Sequence, residues 1–418
     1  LAFMNRIIII GNGFDLAHGL KTKYENFIIW YQKEWVEKLK KCFNNTISDE
    51  LCAFKIFQYD WDYFFSFYHY ENISWEDLLE TINDSPQLLE YTPSRFFERI
   101  TTCIEQRNWV DIEKEYYNLL SLDFDLSDDE SIEKLNKELE CLRAQLISYL
   151  RKIENDFINE SIVKDSIKEK IFEPINPRDI SISACNNILP SFIKKRFPNN
   201  NNDENLIYIL KAYSKNIKET LKKIREFEAL HKHQITNMGI ESINCNDFPL
   251  DLFYPDNILL LNFNYTRTAD LYLPNEEIFK VNHIHGDLSD KSNIIFGYGD
   301  ELDDNYKNIL KQDNNEYLKN IKSINYLNST NYREMLSYIE SSPYQIYIMG
   351  HSCGLSDKTL LNTLFEHDNC VSIKPFYYIN NEGFDNYTEI VQNISRNFTD
   401  MKLMRDRVVN KTFCETLE

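Results

Sequence analysis

Residues 6–27 read RIIIIGNGFDLAHGLKTKYENF. Four consecutive isoleucines, Ile7 to Ile10, predict a strand covered on both faces, because a strand with one wet face alternates apolar and polar residues. The run stops at Gly11, and Asn12, Gly13, Asp15, His18 and Gly19 follow within nine residues. Ligands of open α/β sheets bind beyond the carboxyl ends of such strands, where glycine lets the backbone approach closely. The turn is not a complete G-x-G-x-x-G fingerprint, since Leu16 stands where the third glycine would be. Further on, Thr22 and Glu25 have the spacing of a capping box, ahead of an amphipathic segment with Phe27, Ile28 and Trp35.

Strands of the same kind recur near the other end of the chain. Asn257–Phe263, Val281–Ile284, Asn293–Phe296, Gln345–Met349 and Ile373–Ile379 are short apolar runs, and Lys358–His367 reads as a helix after Asp357. This pattern predicts an α/β fold, Rossmann-like, with a mainly parallel sheet and helices on its faces. The middle has a different rhythm. Ile132, Leu135, Leu139, Leu142, Leu146, Tyr149 and Ile153 alternate spacings of three and four, the seam of one long helix. Leu206, Leu210, Tyr213, Ile217, Leu221, Ile224 and Phe227 give a second helical face. The segments EPINPRD and FPNNNND between them read as loops. The expected organisation is an α/β core from residues 1–94 and 246–418, interrupted by a large helical insertion, 95–245. Intramolecular packing of the seam is favoured over a coiled-coil dimer.

A chain of 418 residues with 43 % hydrophobic content can bury a substantial core. Its net charge of −20 argues against non-specific nucleic-acid binding and against an anionic membrane surface. Nine cysteines without a C-x-x-C pair read as reduced thiols and give no four-cysteine zinc site. No apolar run approaches the roughly 18 residues of a membrane span. A cytoplasmic location is expected.

Eight of the ten glycines fall in three short regions. Gly11, Gly13 and Gly19 follow the first strand. Gly286, Gly297 and Gly299 follow HIHGDL. Gly350 and Gly354 lie in GHSCGLSD. A fourth piece, LNFNYTRTADLY, carries Asn262 and Asn264, with Arg267 as a cation for a pyrophosphate or as a plain surface residue. Four motif-bearing strand ends predict one shared pocket.

GNGFDLAHGL, WEDLLE at Trp75–Glu80, LNFNYT, HIHGDL and GHSCGLSD, in this order, resemble the AbiH family of phage abortive-infection proteins. The resemblance covers the two ends and hardly touches the helical middle; Lys21 departs from the proline expected after Gly19-Leu20. The same blocks look like a diverged sirtuin-type NAD pocket. Gly11, Gly13 and Gly19 match its glycine loop, Asn264 its asparagine, His285 and Gly286 its H-G pair, and Gly350, His351 and Ser352 its G-T-S motif. Asp15 stands where sirtuins commonly have serine, and the zinc cysteines are absent, which counts against protein deacylation more than against NAD chemistry.

The resemblance implies an antiphage abortive-infection effector that binds NAD as substrate and hydrolyses its nicotinamide–ribose bond. Such a site needs a base near neutral pKa, for which histidine is suited. His285 is the expected base, with His283 as the other possibility. Asn264 would orient ribose or water, and Asp357 or Asp15 would stabilise the developing positive charge. The loops Gly11, Asn12, Gly13, Phe14, Asp15 and Gly350, His351, Ser352, with Gly286, would bind the nucleotide, their N–H groups meeting the phosphates. The rival readings are a metal-dependent phosphodiesterase or nuclease built on the Asn, His and Asp of the same motifs, and a non-catalytic nucleotide-binding sensor. A phage or host protein would act as trigger through the helical insertion, and the sequence is compatible with a homo-oligomer.

Overall fold

The computed structural model describes residues 4–41, 46–57, 73–84, 86–87, 89–107, 110–126, 129–181, 184, 226, 254–274, 277–301 and 303–418. Its strands are β1 (Asn5–Ile10), β2 (Thr46–Ser48), β3 (Cys52–Ile56), β4 (Leu89–Pro93), β5 (Ile258–Asn262), β6 (Phe279–His283), β7 (Tyr344–Met349) and β8 (Cys370–Phe376). They form two sheets, in the orders β6-β5-β1-β7-β8 and β2-β3-β4. The chain divides into two compact units. One comprises Leu1–Gly19, Ile158–Asp287 and Tyr326–Glu418, the other Leu20–Phe157 and Leu288–Asn325.

The first unit holds the larger sheet, and each of its strand pairs is parallel. From the central β1 the chain adds β5 and β6 on one side, then returns to add β7 and β8 on the other. This is the expected Rossmann-like arrangement, and the reversal between β1 and β7 is its topological switch point. Alternation on β1 explains the isoleucine run. Ile8 and Ile10 pack with Leu260, Tyr347 and Met349 against Ile167 and Ile171 of the helix Asp165–Ile171. Ile7 and Ile9, on the opposite side, are equally buried. The registers set His283, Asn262, Ile10, Met349 and Phe376 in one row at the carboxyl edge. Everything that follows these five residues leaves the sheet on that edge.

The second unit carries the antiparallel sheet β2-β3-β4 and a run of helices. The longest, Asp129–Phe157, bears the predicted seam: Ile132, Leu135, Leu139, Leu142, Leu146, Tyr149 and Ile153 are all buried within this one chain. The second helical face, 206–227, lies outside the described residues apart from Glu226. Among the described residues no helix is long and apolar enough to cross a membrane.

Three local expectations need correction. Asn293–Phe296 forms no strand: Ile294, Ile295 and Phe296 are buried, but in irregular chain after a short 3-10 turn, Lys291–Asn293. The backbone beyond them bonds elsewhere, Gly297 N–H to Glu113 Oε1 at 3.0 Å and Tyr298 N–H to the Asn320 carbonyl at 3.1 Å. The helix Tyr24–Lys40 is N-capped at Lys23 without a side-chain cap, so the Thr22/Glu25 box lies one residue out of register. The last strand ends at Phe376, not Ile379, because the following residues turn into a hairpin closed at Ile379 and Asp385.

Candidate functional site

The carboxyl edge of the parallel sheet gathers the chain that follows β1, β5, β6 and β7, and the loops after β1 and β7 touch one another there, whereas Gly297 and Gly299 belong to the second unit. Gly11 N–H donates to the Met349 carbonyl at 3.2 Å, Gly13 N–H to the Gly350 carbonyl at 2.8 Å, and Phe14 N–H to the Gly11 carbonyl at 2.9 Å. The reason for glycine is steric. A Cβ on Gly11 would lie 2.5 Å from His351 Cα, and one on Gly13 would lie 2.8 Å from Gly350 Cα. These glycines let two loops pack at the switch point, and three of the N–H groups expected to take phosphate, those of Gly11, Gly13 and Phe14, end on carbonyl oxygens. Phe14 is buried beside Tyr272, with ring centroids 5.4 Å apart. Asp15 is buried and accepts the Thr266 hydroxyl at 2.6 Å. Both side chains hold the loop from within, whereas Asn12 and Ser352 are exposed.

Beyond β5, Asn262 folds back on its own turn. Its amide donates to the Thr266 carbonyl at 2.9 Å, and its side-chain oxygen accepts the Asn264 N–H at 3.0 Å. Asn264 is half-buried and donates to the Gly11 carbonyl at 3.0 Å, which ties this turn to the loop after β1. The two asparagines therefore serve different partners.

The two histidines of HIHGDL have separate environments. His283 Nδ1 lies 3.2 Å from the Asn262 amide nitrogen, and its Nε2 lies 3.1 Å from Asp270 Oδ1. An amide NH2 can only donate, so Nδ1 accepts and Nε2–H donates to the carboxylate. Both ring nitrogens are thus used in holding the strand end. His285, buried, sits past the strand, where Gly286 at φ +80° turns the chain. Its Nε2 lies 3.3 Å from Asp357 Oδ1 and 3.1 Å from the Tyr326 hydroxyl.

Asp357 comes from the loop after β7, at the start of the helix Lys358–Glu366. Its other oxygen, Oδ2, lies 3.7 Å from His351 Nε2. His285, His351 and Asp357 are all buried. The Phe263 ring is set against both imidazoles, at centroid distances of 5.2 Å from His285 and 4.3 Å from His351. The turn that delivers His351 contains Cys353 at φ +54°, a left-handed conformation uncommon for a residue with a Cβ. It is locked from two sides. Cys353 N–H donates to His351 Nδ1 at 3.0 Å, and Asn397 donates to the Cys353 carbonyl at 2.9 Å. Burial pushes the Cys353 thiol up, with the Asp357 carboxylate adding to the effect, so it stays protonated rather than becoming a thiolate.

His18 is a satisfied core histidine. Its Nδ1 lies 2.6 Å from the Phe14 carbonyl, its Nε2 lies 2.5 Å from the Tyr272 hydroxyl, and burial lowers its pKa. The structure brings Gly11, Asn264, His285, Gly286, Gly350, His351 and Asp357 to one edge. Tyr326 was not foreseen. It is 41 residues beyond His285, at the start of a short 3-10 turn, Tyr326–Asn328, and no spacing rule marks it.

The chain is thus a Rossmann-like α/β protein whose switch point adjoins a buried histidine–carboxylate cluster. The description "Bacteriophage abortive infection AbiH" matches residues 7–379, most of the chain, and the protein belongs to that family. No curated protein and no solved structure matches it.

Proposed function

We propose that this AbiH protein is an antiphage effector that binds NAD across the β1/β7 switch point and hydrolyses its nicotinamide–ribose bond. The observation that carries this reading is the buried His285, beside Asp357, on the edge where the β1, β5 and β7 loops converge. In the reaction a water oxygen bonds to the ribose C1′ while the bond from C1′ to the nicotinamide nitrogen breaks. Nicotinamide leaves with the bonding electrons, and His285 takes the proton released by water. Asn264 and the exposed Asn12 and Ser352 supply polar groups for ribose and phosphate. With the Gly11, Gly13 and Phe14 amides engaged, the phosphates depend on other donors. The helical segment 95–245 is the proposed surface for a phage or host trigger. Among the described residues no three His, Cys, Asp or Glu side chains are placed to hold a metal ion.

The test is release of nicotinamide and ADP-ribose in equal amounts by the purified full chain, alone and with extract of phage-infected cells. His285→Ala should lower turnover about 100- to 10,000-fold while NAD still binds. If the wild-type protein neither binds nor cleaves NAD under either condition, the reading fails and family membership alone stands.

A further inference from the structure

We propose that Asp357 and His351 are positioning residues, which together fix His285 in the tautomer that makes Nδ1 its basic atom. The argument starts at Cys353. Its N–H donates to His351 Nδ1 at 3.0 Å, so that nitrogen is an acceptor and the proton of a neutral His351 is on Nε2. Nε2 is the atom that faces Asp357 Oδ2, at 3.7 Å. The N–H dipole of His351 favours a carboxylate in this buried place, and the other oxygen of that carboxylate, Oδ1, is 3.3 Å from His285 Nε2. A carboxylate oxygen opposite a ring nitrogen calls for a proton between them, so Nε2 of His285 carries it and the Tyr326 hydroxyl at 3.1 Å accepts or stands aside. The basic lone pair of His285 then lies on Nδ1. Phe263, packed on both rings, restricts their rotation.

This arrangement assigns different work to the loop after β7. The strained Cys353 turn orients His351, His351 steadies one oxygen of Asp357, and the other oxygen orients the base. Asp357 thereby acts through His285 and not by direct contact with a cationic sugar. Its effect on turnover rests on the NAD reading above; its effect on the His285 tautomer does not.

Two-bond proton–nitrogen correlation spectra of the 15N-labelled full chain, without ligand and at about pH 8, above the ordinary histidine range, read the tautomers directly. His285→Gln and His351→Gln assign the signals. In the wild type both rings should be Nε2–H, and an Nδ1–H form of His285 overturns the proposal. In folded Asp357→Asn, His285 should move toward the Nδ1–H form, and an unchanged tautomer overturns the proposal. NAD turnover by Asp357→Asn should show kcat reduced about 100- to 10,000-fold with KM nearly unchanged. Wild-type kcat in that variant overturns the proposal. If the wild type does not turn over NAD but its tautomers are as expected, the positioning stands and the substrate reading alone falls.

Discussion

A methyl group added at Gly350 and one added at Gly383 would separate two things that glycine does. Both residues have positive φ, +76° and +84°. Around Gly383 nothing lies within 4 Å of the added carbon, whereas at Gly350 it would lie 2.1 Å from Phe14 N. Gly383→Ala should therefore cost only the conformational term, about 1–2 kcal/mol, and Gly350→Ala clearly more. Equal losses in chemical denaturation would show that the β1 and β7 loops are not packed as described. A second test concerns His18, whose folded-state pKa lies below the ordinary 6.5, chiefly through burial. As pH falls through that unfolded value the unfolded chain takes up a proton that the fold refuses. Its contribution is thus complete above the unfolded pKa and declines as pH falls toward the depressed folded one. Between about pH 7 and 5, the wild type should lose more stability than His18→Gln; parallel curves would contradict this. At this scale the glycines and histidines stand out in the sequence, but their partners do not. Gly13 read as room for a ligand and is room for Gly350, a contact between residues 337 positions apart. His283 and His285 look alike in HIHGDL, and only the fold sets one against Asp270 and the other against Asp357.

Among the elements, apolar runs with both faces covered were the most legible. β1, β5 and β7 stand where their aliphatic stretches lie, since a central parallel strand has little choice of composition. Ile294 to Phe296 has the same composition and forms no strand, because burial alone does not supply a backbone ladder. Period is a stronger signal than composition, as the helix Asp129–Phe157 illustrates. Leu142, in the middle of its seam, is fully buried. Leu142→Ala should cost about 2–5 kcal/mol, with a melting temperature that does not vary with protein concentration. A concentration-dependent loss would mean that the seam is an interface between two copies.

For the molecule as a whole, the singly spaced cysteines predict folding without zinc. A strong chelator should leave the melting temperature unchanged; a large drop would expose a missed structural metal. The α/β class was legible because the strand-rich ends and the helix-rich middle differ in periodicity. The strand order was not, since pairing between distant segments leaves no local trace. That order also bears on synthesis. β1 is complete at Ile10, but its neighbours β5 and β7 begin only at Ile258 and Tyr344. A ribosome would need on the order of 10–50 s to bridge the first gap. Until then the central strand has neither of its ladder partners, and until Asp357 is added the imidazole of His285 lacks its carboxylate. The order of the strands thus delays assembly of the cluster: the chemistry proposed for His285 could begin only after synthesis has passed Asp357.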